Sequence, residues 1–257
     1  RTTKGRAIQN LINIDQDDRV KAFICTQDLK DEEYINSHYV IMATKKGQVK
    51  KTSLEKYSRP RANGINGITI KDDDELLEAR LTNGNSQILL AVKSGKAIRF
   101  EESKTRPMGR SASGVRGITL ANEQDEVVGM VTVNDMDANI LVVSENGFGK
   151  RSSLDDYRTT NRGGKGVKTI SVTEKTGALV TLKSVTDLDD LMIINKSGIA
   201  IRMAVSDLRV MGRATQGVKL INIKGNDSIA AVAKTMKDDE EVEDISDIDV
   251  ESGTIIE

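Results

Sequence analysis

The sequence predicts an all-β protein built from propeller-like blades. Three observations carry this. An apolar run followed by a turn glycine occurs four times, at residues 40–43 with Gly47, 88–91 with Gly95, 140–143 with Gly147 and 191–194 with Gly198. These glycines are 48, 52 and 51 residues apart, the period of a supersecondary unit that buries its faces against its neighbours. A second glycine marks each unit (Gly64, Gly114, Gly166, Gly217), and isoleucine stands four residues after each one: Ile68, Ile118, Ile170, Ile221.

Each unit is justified in order. The apolar run is too short for a helix and reads as a buried strand. Lys45-Lys46-Gly47, Lys93-Ser94-Gly95, Glu145-Asn146-Gly147 and Lys196-Ser197-Gly198 read as hairpin turns, since glycine tolerates the positive φ that such turns need. A second strand and a basic loop follow. After the second glycine, Ile68 with Ile70, Ile118 with Leu120, Ile170 with Val172 and Ile221 with Ile223 alternate at period two, as in a half-buried strand. A closing apolar run at Leu76, Val127, Leu179 or Ile229 completes the unit. The N-terminus carries only the second half, from Gly5 through Ile8, Leu11 and Ile12 to the run 20–25. No segment sustains a helical period for three turns. The expected division is a blade domain over 1–236, with a half blade at 1–38 and blades near 39–86, 87–138, 139–190 and 191–236. An acidic tail over 237–257 follows.

The 257 residues include 37% apolar residues, enough for a core, but only 3% aromatics and no Trp. No stretch has the roughly 18 to 20 apolar residues of a membrane-spanning helix. The chain opens on Arg1 without methionine or signal peptide, so it is expected to be a piece of a longer cytosolic protein. A single cysteine, Cys25, excludes an internal disulfide and a cysteine zinc site; it ends an apolar run and reads as a buried small hydrophobe. The single histidine, His38, reads as structural or exposed. Asp135-Met136-Asp137 begins like a calcium loop but lacks the glycine at its sixth position, and Gly163-Gly164-Lys165-Gly166 lacks the Walker spacing. No catalytic residue and no metal ligand is assigned.

Lys+Arg number 38 against 39 Asp+Glu, but ten of the acids and one of the bases lie in 237–257. The body therefore carries a net charge of +8. A basic body with an acidic tail fits a polyanion partner and a built-in competitor for it. The tail has no strand or helix pattern and is expected to stay disordered.

The bases recur in register. Lys51, Arg99, Arg151 and Arg202 sit four residues after the hairpin glycine, with Lys150 beside Arg151. Arg110, Arg162 and Arg213 sit four before the second glycine, as Arg1 does before Gly5. Arg106, Arg158 and Arg209 sit eight before it; Arg116, Lys168 and Lys219 sit two after it. Lys165 joins the third unit's loop, and the shorter first loop offers Arg59 and Arg61. A lone surface arginine is usually just solvated. A recurring one becomes, by blade symmetry, a stripe around one rim. Regularly spaced negative charge is what such a stripe fits, and duplex DNA supplies it through its phosphates. The scarcity of aromatics argues against single-strand binding by base stacking. Binding through the backbone, with bending and little sequence preference, is expected. A propeller used as a protein-interaction scaffold, or one with an enzymatic centre in its channel, remains open on period alone.

Four segments carry a family resemblance: Ile41-Met-Ala-Thr-Lys-Lys-Gly-Gln-Val-Lys-Lys-Thr52, Gly109-Arg-Ser-Ala-Ser-Gly-Val-Arg-Gly-Ile118, Asn146-Gly-Phe-Gly-Lys-Arg151 and Val210-Met-Gly-Arg-Ala-Thr-Gln-Gly-Val218. They resemble the C-terminal domain of the DNA gyrase A subunit, over residues 1 to about 236, and the acidic tail is family-like. The resemblance implies a β-pinwheel: a propeller-like disc of four-stranded blades that exchange strands with their neighbours. Here it would comprise four full blades plus a partial one, and the first of the usual six blades would be absent. The family's Gln-Arg-Arg-Gly-Gly-Lys-Gly box belongs to that first blade. Asn161-Arg162-Gly163-Gly164-Lys165-Gly166 is similar but lies in a late blade, which leaves the topoisomerase IV A subunit open. The resemblance implies wrapping of double-stranded DNA around the rim. The whole would be an A2B2 holoenzyme that introduces negative supercoils. Its other parts would be the rest of the gyrase A subunit together with the gyrase B subunit. ATP and Mg2+ would be used elsewhere in it, and no cofactor in this chain. The implied location is the bacterial cytoplasm, at the nucleoid.

Overall fold

The computed structural model describes residues 18–61, 63–223, 225 and 227–236. The expected half blade falls outside these residues up to position 17, and so does the whole acidic tail over 237–257. Four antiparallel sheets follow one another along the chain. In the first, β1 (Tyr39–Thr44) and β2 (Gln48–Ser53) form the hairpin around Gly47, and β3 (Leu76–Thr82) pairs with the other edge of β1. The second repeats this with β4 (Gln87–Val92), β5 (Lys96–Glu101) and, after the two-residue β6 (Val115–Arg116), β7 (Val127–Val133). The third uses β8 (Asn139–Ser144), β9 (Phe148–Ser153) and, after β10 (Val167–Lys168), β11 (Leu179–Val185). The fourth uses β12 (Asp189–Asn195), β13 (Ala200–Ala204) and, after β14 (Val218–Lys219), β15 (Ile229–Met236).

The short strand of each unit joins the sheet of the unit before it. β6 pairs with β2, β10 with β5 and β14 with β9. The third strand read from the sequence is therefore a two-residue strand on a neighbour's edge. Its alternation continues as irregular chain that still buries Ile118 and Ile170. In the first unit, residues 65–70 form no strand at all, and the fourth sheet has three strands among the described residues.

The cores lie between blades. Ile41, Ala43 and Val49 of the first pack on Ile88, Leu90, Ile98 and Met130 of the second. Leu89, Ala91 and Val131 of the second pack on Ile140, Val142 and Leu182 of the third. Leu141 and Val143 pack on Leu191, Ile193 and Val232. The middle strands are consequently buried on both faces, which is why they read as unbroken apolar runs rather than as alternating ones. The first blade's other face is covered by Ala22, Ile24 and Leu29 and by α1 (Glu32–Ser37), which is capped by Asp31. Run 20–25 alternates, placing Phe23 and Cys25 outward; Cys25 is exposed, not the buried hydrophobe expected. His38 is structural: its Nδ1 lies 2.9 Å from the Tyr34 carbonyl, with the two rings 4.2 Å apart.

Candidate nucleic-acid interface

The basic loops of the second, third and fourth units each run along the outer edge of the preceding blade. Each touches that edge first as a parallel bridge, Lys51 to Pro107, Arg99 to Thr159 and Arg151 to Val210, and then as the antiparallel short strand. Gly166 makes the close approach possible. Its φ is +70°, and a Cβ there would lie 2.5 Å from the Ala97 carbonyl oxygen. The equivalent clash, also at 2.5 Å, would occur at Gly114 against Val49 and at Gly217 against Gly149. In the last three units the second glycine is thus the point where a loop meets its neighbour's backbone, whereas a Cβ on Gly64 would meet nothing within 4 Å.

This geometry sorts the predicted bases into three groups. Lys51, Arg99, Lys150 and Arg151 are buried. Lys51 pairs with the buried Glu102 at 2.8 Å and stands 4.1 Å above the Tyr39 ring. Arg99 donates from Nη1 to the Leu154 carbonyl at 2.8 Å and the Tyr157 carbonyl at 3.1 Å, and from Nε to Gln87. Arg151 donates to the Leu208 carbonyl and to Asp187. Lys150 donates to the Gly212 carbonyl at 2.6 Å and to Thr215 Oγ1 at 3.1 Å. Desolvation pulls the Lys150 ammonium down to about 8, against a partial upward pull from Asp156. These four side chains stitch one blade to the loop of the next, and the rim expectation does not hold for them. The reason is that a loop closes over each middle strand.

Arg202, the same position in the fourth blade, is exposed, because no further loop covers β13 among the described residues; its Nε donates to Asp190 at 2.7 Å. Arg162 and Arg213 are half-exposed and clasp the preceding short strand, donating to the Arg116 carbonyl at 3.1 Å and the Lys168 carbonyl at 2.8 Å. Arg110 is also half-exposed.

The remaining bases are exposed: Arg59, Arg61, Arg106, Arg116, Arg158, Lys165, Lys168, Arg209 and Lys219. Seven of them fall into a repeating arrangement. Arg106 and Arg116 lie on the edge of the first blade, Arg158, Lys165 and Lys168 on that of the second, and Arg209 and Lys219 on that of the third. Arg116, Lys168 and Lys219 each end a short outer strand, so they occupy one register on three successive blades. On the second blade a recess of about 250 Å3 opens between Arg99, Arg158 and Lys165, floored by Asn161 and Gly164.

Two features escaped the sequence. Lys50 is fully buried, donates to the Gly67 and Arg110 carbonyls, and is drawn down to about 8 by burial and then by Arg110. Glu102 is fully buried and accepts from Thr82 Oγ1 and from the Ser86 amide as well as from Lys51. Neither position repeats in every unit, so periodicity gave no signal. In the second blade Ile98 stands where Lys50 and Lys150 stand.

The sequence model of the DNA gyrase C-terminal domain, a beta-propeller, matches residues 38–83, 87–134, 138–186 and 189–236. The chain belongs to this family. The DNA gyrase A subunit of Staphylococcus aureus strain MRSA252 is 43% identical over 257 residues, covering 99% of this chain and 28% of that protein. The protein of the same name in strain NCTC 8325 / PS 47 is 43% identical over 243 residues, 94% of this chain and 27% of that protein. The chain thus spans little more than a quarter of these gyrase proteins. Among solved structures, the C-terminal domain of DNA topoisomerase IV superposes with a TM-score of 0.82 at 26% identity, over 90% of this chain and 71% of that one. The DNA gyrase A C-terminal domain superposes with a TM-score of 0.78 at 24% identity, over 91% and 76%, and shares the fold. The pinwheel resemblance drawn from the repeats is thereby met, including its exchanged strands.

Proposed function

We propose that this domain holds double-stranded DNA against its outer rim and bends it, without reading its sequence, as the C-terminal part of a gyrase A subunit. The observation that carries the reading is the exposed base at one register on three successive blades, Arg116, Lys168 and Lys219. Cations at equal intervals along a curved edge match phosphates at equal intervals along a bent duplex. Arg106, Arg158, Lys165 and Arg209 add further contacts on the same edges, and the first loop offers the exposed Arg59 and Arg61 as additional cations. Arg162 and Arg213 hold the edge strands in place and present their free guanidinium atoms beside them, and Arg110 is half-exposed at the same register.

Wrapping of this kind fixes the sign of the crossing offered to a cleavage gate. In the whole enzyme the domain would thereby direct negative supercoiling. Strand cleavage would belong to the rest of the A subunit; ATP hydrolysis, with Mg2+, to the B subunit. Gyrase rather than topoisomerase IV is favoured by the 43% identity to proteins named as the DNA gyrase A subunit. The partners would be duplex DNA and both gyrase subunits, in the bacterial cytoplasm. The test is binding of random-sequence duplex DNA by the intact chain across salt. Affinity that falls steeply with salt and is equal for unrelated sequences is expected; salt-independent or strongly sequence-selective binding would overturn the reading.

A further inference from the structure

The innermost strands of the four blades, β3, β7, β11 and β15, run side by side. Between them lies a cavity of about 460 Å3 with a polar lining of Arg80, Thr132, Lys183, Ser184 and Lys234. No carboxylate lines it. Arg80 is paired with Glu78, and Lys234 with Asp189 at 3.3 Å. Lys183 makes no ion pair or hydrogen bond with any described residue, and neither do the Thr132 and Ser184 hydroxyls.

Blade packing does not require these cations. Arg80 stands opposite Ile41 and Lys183 opposite Leu141, the residues six before their hairpin glycines. The equivalent place in β7, opposite Leu89, is filled by Val131. Lys234 stands opposite Leu191, one residue further along. The unpaired Lys183, two ion-paired cations and two unpartnered hydroxyls therefore line one concave site, and at the register of Arg80 and Lys183 an apolar residue, Val131, serves the fold in β7. Like charges gathered in a cleft raise the local potential, and an anion entering it gains both that potential and charge-assisted hydrogen bonds. The volume suits a small ligand and excludes a duplex.

We propose that this central cavity is an anion site, separate from the rim, whose ligand is a compact polyphosphate such as pyrophosphate, tripolyphosphate or the phosphate chain of a nucleotide. Lys183 supplies the unpaired charge, Arg80 and Lys234 the flanking ones, and Thr132 and Ser184 donate to the phosphate oxygens. The proposal does not depend on DNA binding at the rim.

The test is calorimetric titration of the intact chain with inorganic tripolyphosphate at low salt. Three variants are compared: Lys183→Gln, Lys234→Gln and, on the rim, Arg158→Gln. Lys183→Gln and Lys234→Gln are each expected to weaken binding about tenfold or more, as loss of a charged hydrogen bond does, while Arg158→Gln leaves it within twofold. Absence of binding overturns the proposal. So does loss in Arg158→Gln with none in Lys183→Gln, which would mean that the rim takes up the anion. A fourth protein ends at Met236. Binding by this one alone would assign the cavity to the carboxylates of 237–257, which follow Lys234 closely in sequence, and would overturn polyphosphate as the ligand of the intact chain.

Discussion

Lys150 shows what burial does to a base that sequence alone would place on a surface. Its ammonium lies against the Gly212 carbonyl and the Thr215 hydroxyl, and its value falls from 10.5 to about 8 because desolvation disfavours the charged form. The folded state therefore holds this proton less tightly than the unfolded state. Below pH 8 both states are protonated and the charge is a constant burden on the fold. As pH rises above 8 the folded state sheds the proton first, and stability increases. Tyr57 and Tyr157, both raised by burial, reverse the trend above about pH 10, where only the unfolded chain ionises them readily. The melting temperature should rise between pH 8 and about 9.5, with Lys50 contributing alongside Lys150, and Lys150→Met should make that rise shallower; an identical pH profile in the variant would refute the assignment. Arg99 gives the complementary prediction. Arg99→Met leaves the Leu154 and Tyr157 carbonyls without their donor, and should destabilise the fold by on the order of 2 kcal/mol while leaving the salt slope of DNA binding unchanged. Denaturant unfolding and DNA titration of the same protein decide both halves. The sequence made Arg99 legible as one of a repeated set, but neither base as an interior one. Alternation distinguishes a wet face from a dry one only where a sheet has a wet face, and here a blade or a loop covers both.

At the scale of the elements, the hairpin turns were readable from glycine and flanking polar residues, and their glycines adopt φ of +82°, +83°, +77° and +88°. What could not be read is that the next unit uses the turns. The Gly147 carbonyl accepts from the Leu220 amide at 2.8 Å, and a Cβ on Gly147 would lie 2.6 Å from the Ile221 carbonyl oxygen. Gly198 has the same φ sign with open space around it. Gly198→Ala should then cost only the backbone strain, on the order of 1 kcal/mol, and Gly147→Ala distinctly more, because the exchanged segment is pushed away as well. Equal losses on unfolding would show that the contact across blades contributes nothing. The exchange escaped direct reading because β10 and β14 are two residues long and pair with strands about seventy residues away. Nothing in their own composition names the partner; only the family resemblance did.

For the whole molecule, repetition did most of the predictive work. A fifty-residue period and an apolar run before each glycine gave the blades, and the blades turned recurring bases into a rim. The subset that reaches solvent required coordinates. Arg158, Lys165 and Lys168 cluster on the edge of one blade, with no acid–base pair among them, and Arg116 and Lys219 hold the same register on the blades to either side. In the proposed function these exposed charges meet phosphates. The direct measurement is the slope of log affinity against log salt for random duplex DNA, in the intact chain and in the triple variant Arg158→Gln, Lys165→Gln, Lys168→Gln. Three lost phosphate contacts should make the slope shallower by roughly three units and weaken binding alike on unrelated sequences. A triple variant that keeps both the slope and the affinity of the intact chain would contradict the assignment of this rim to DNA.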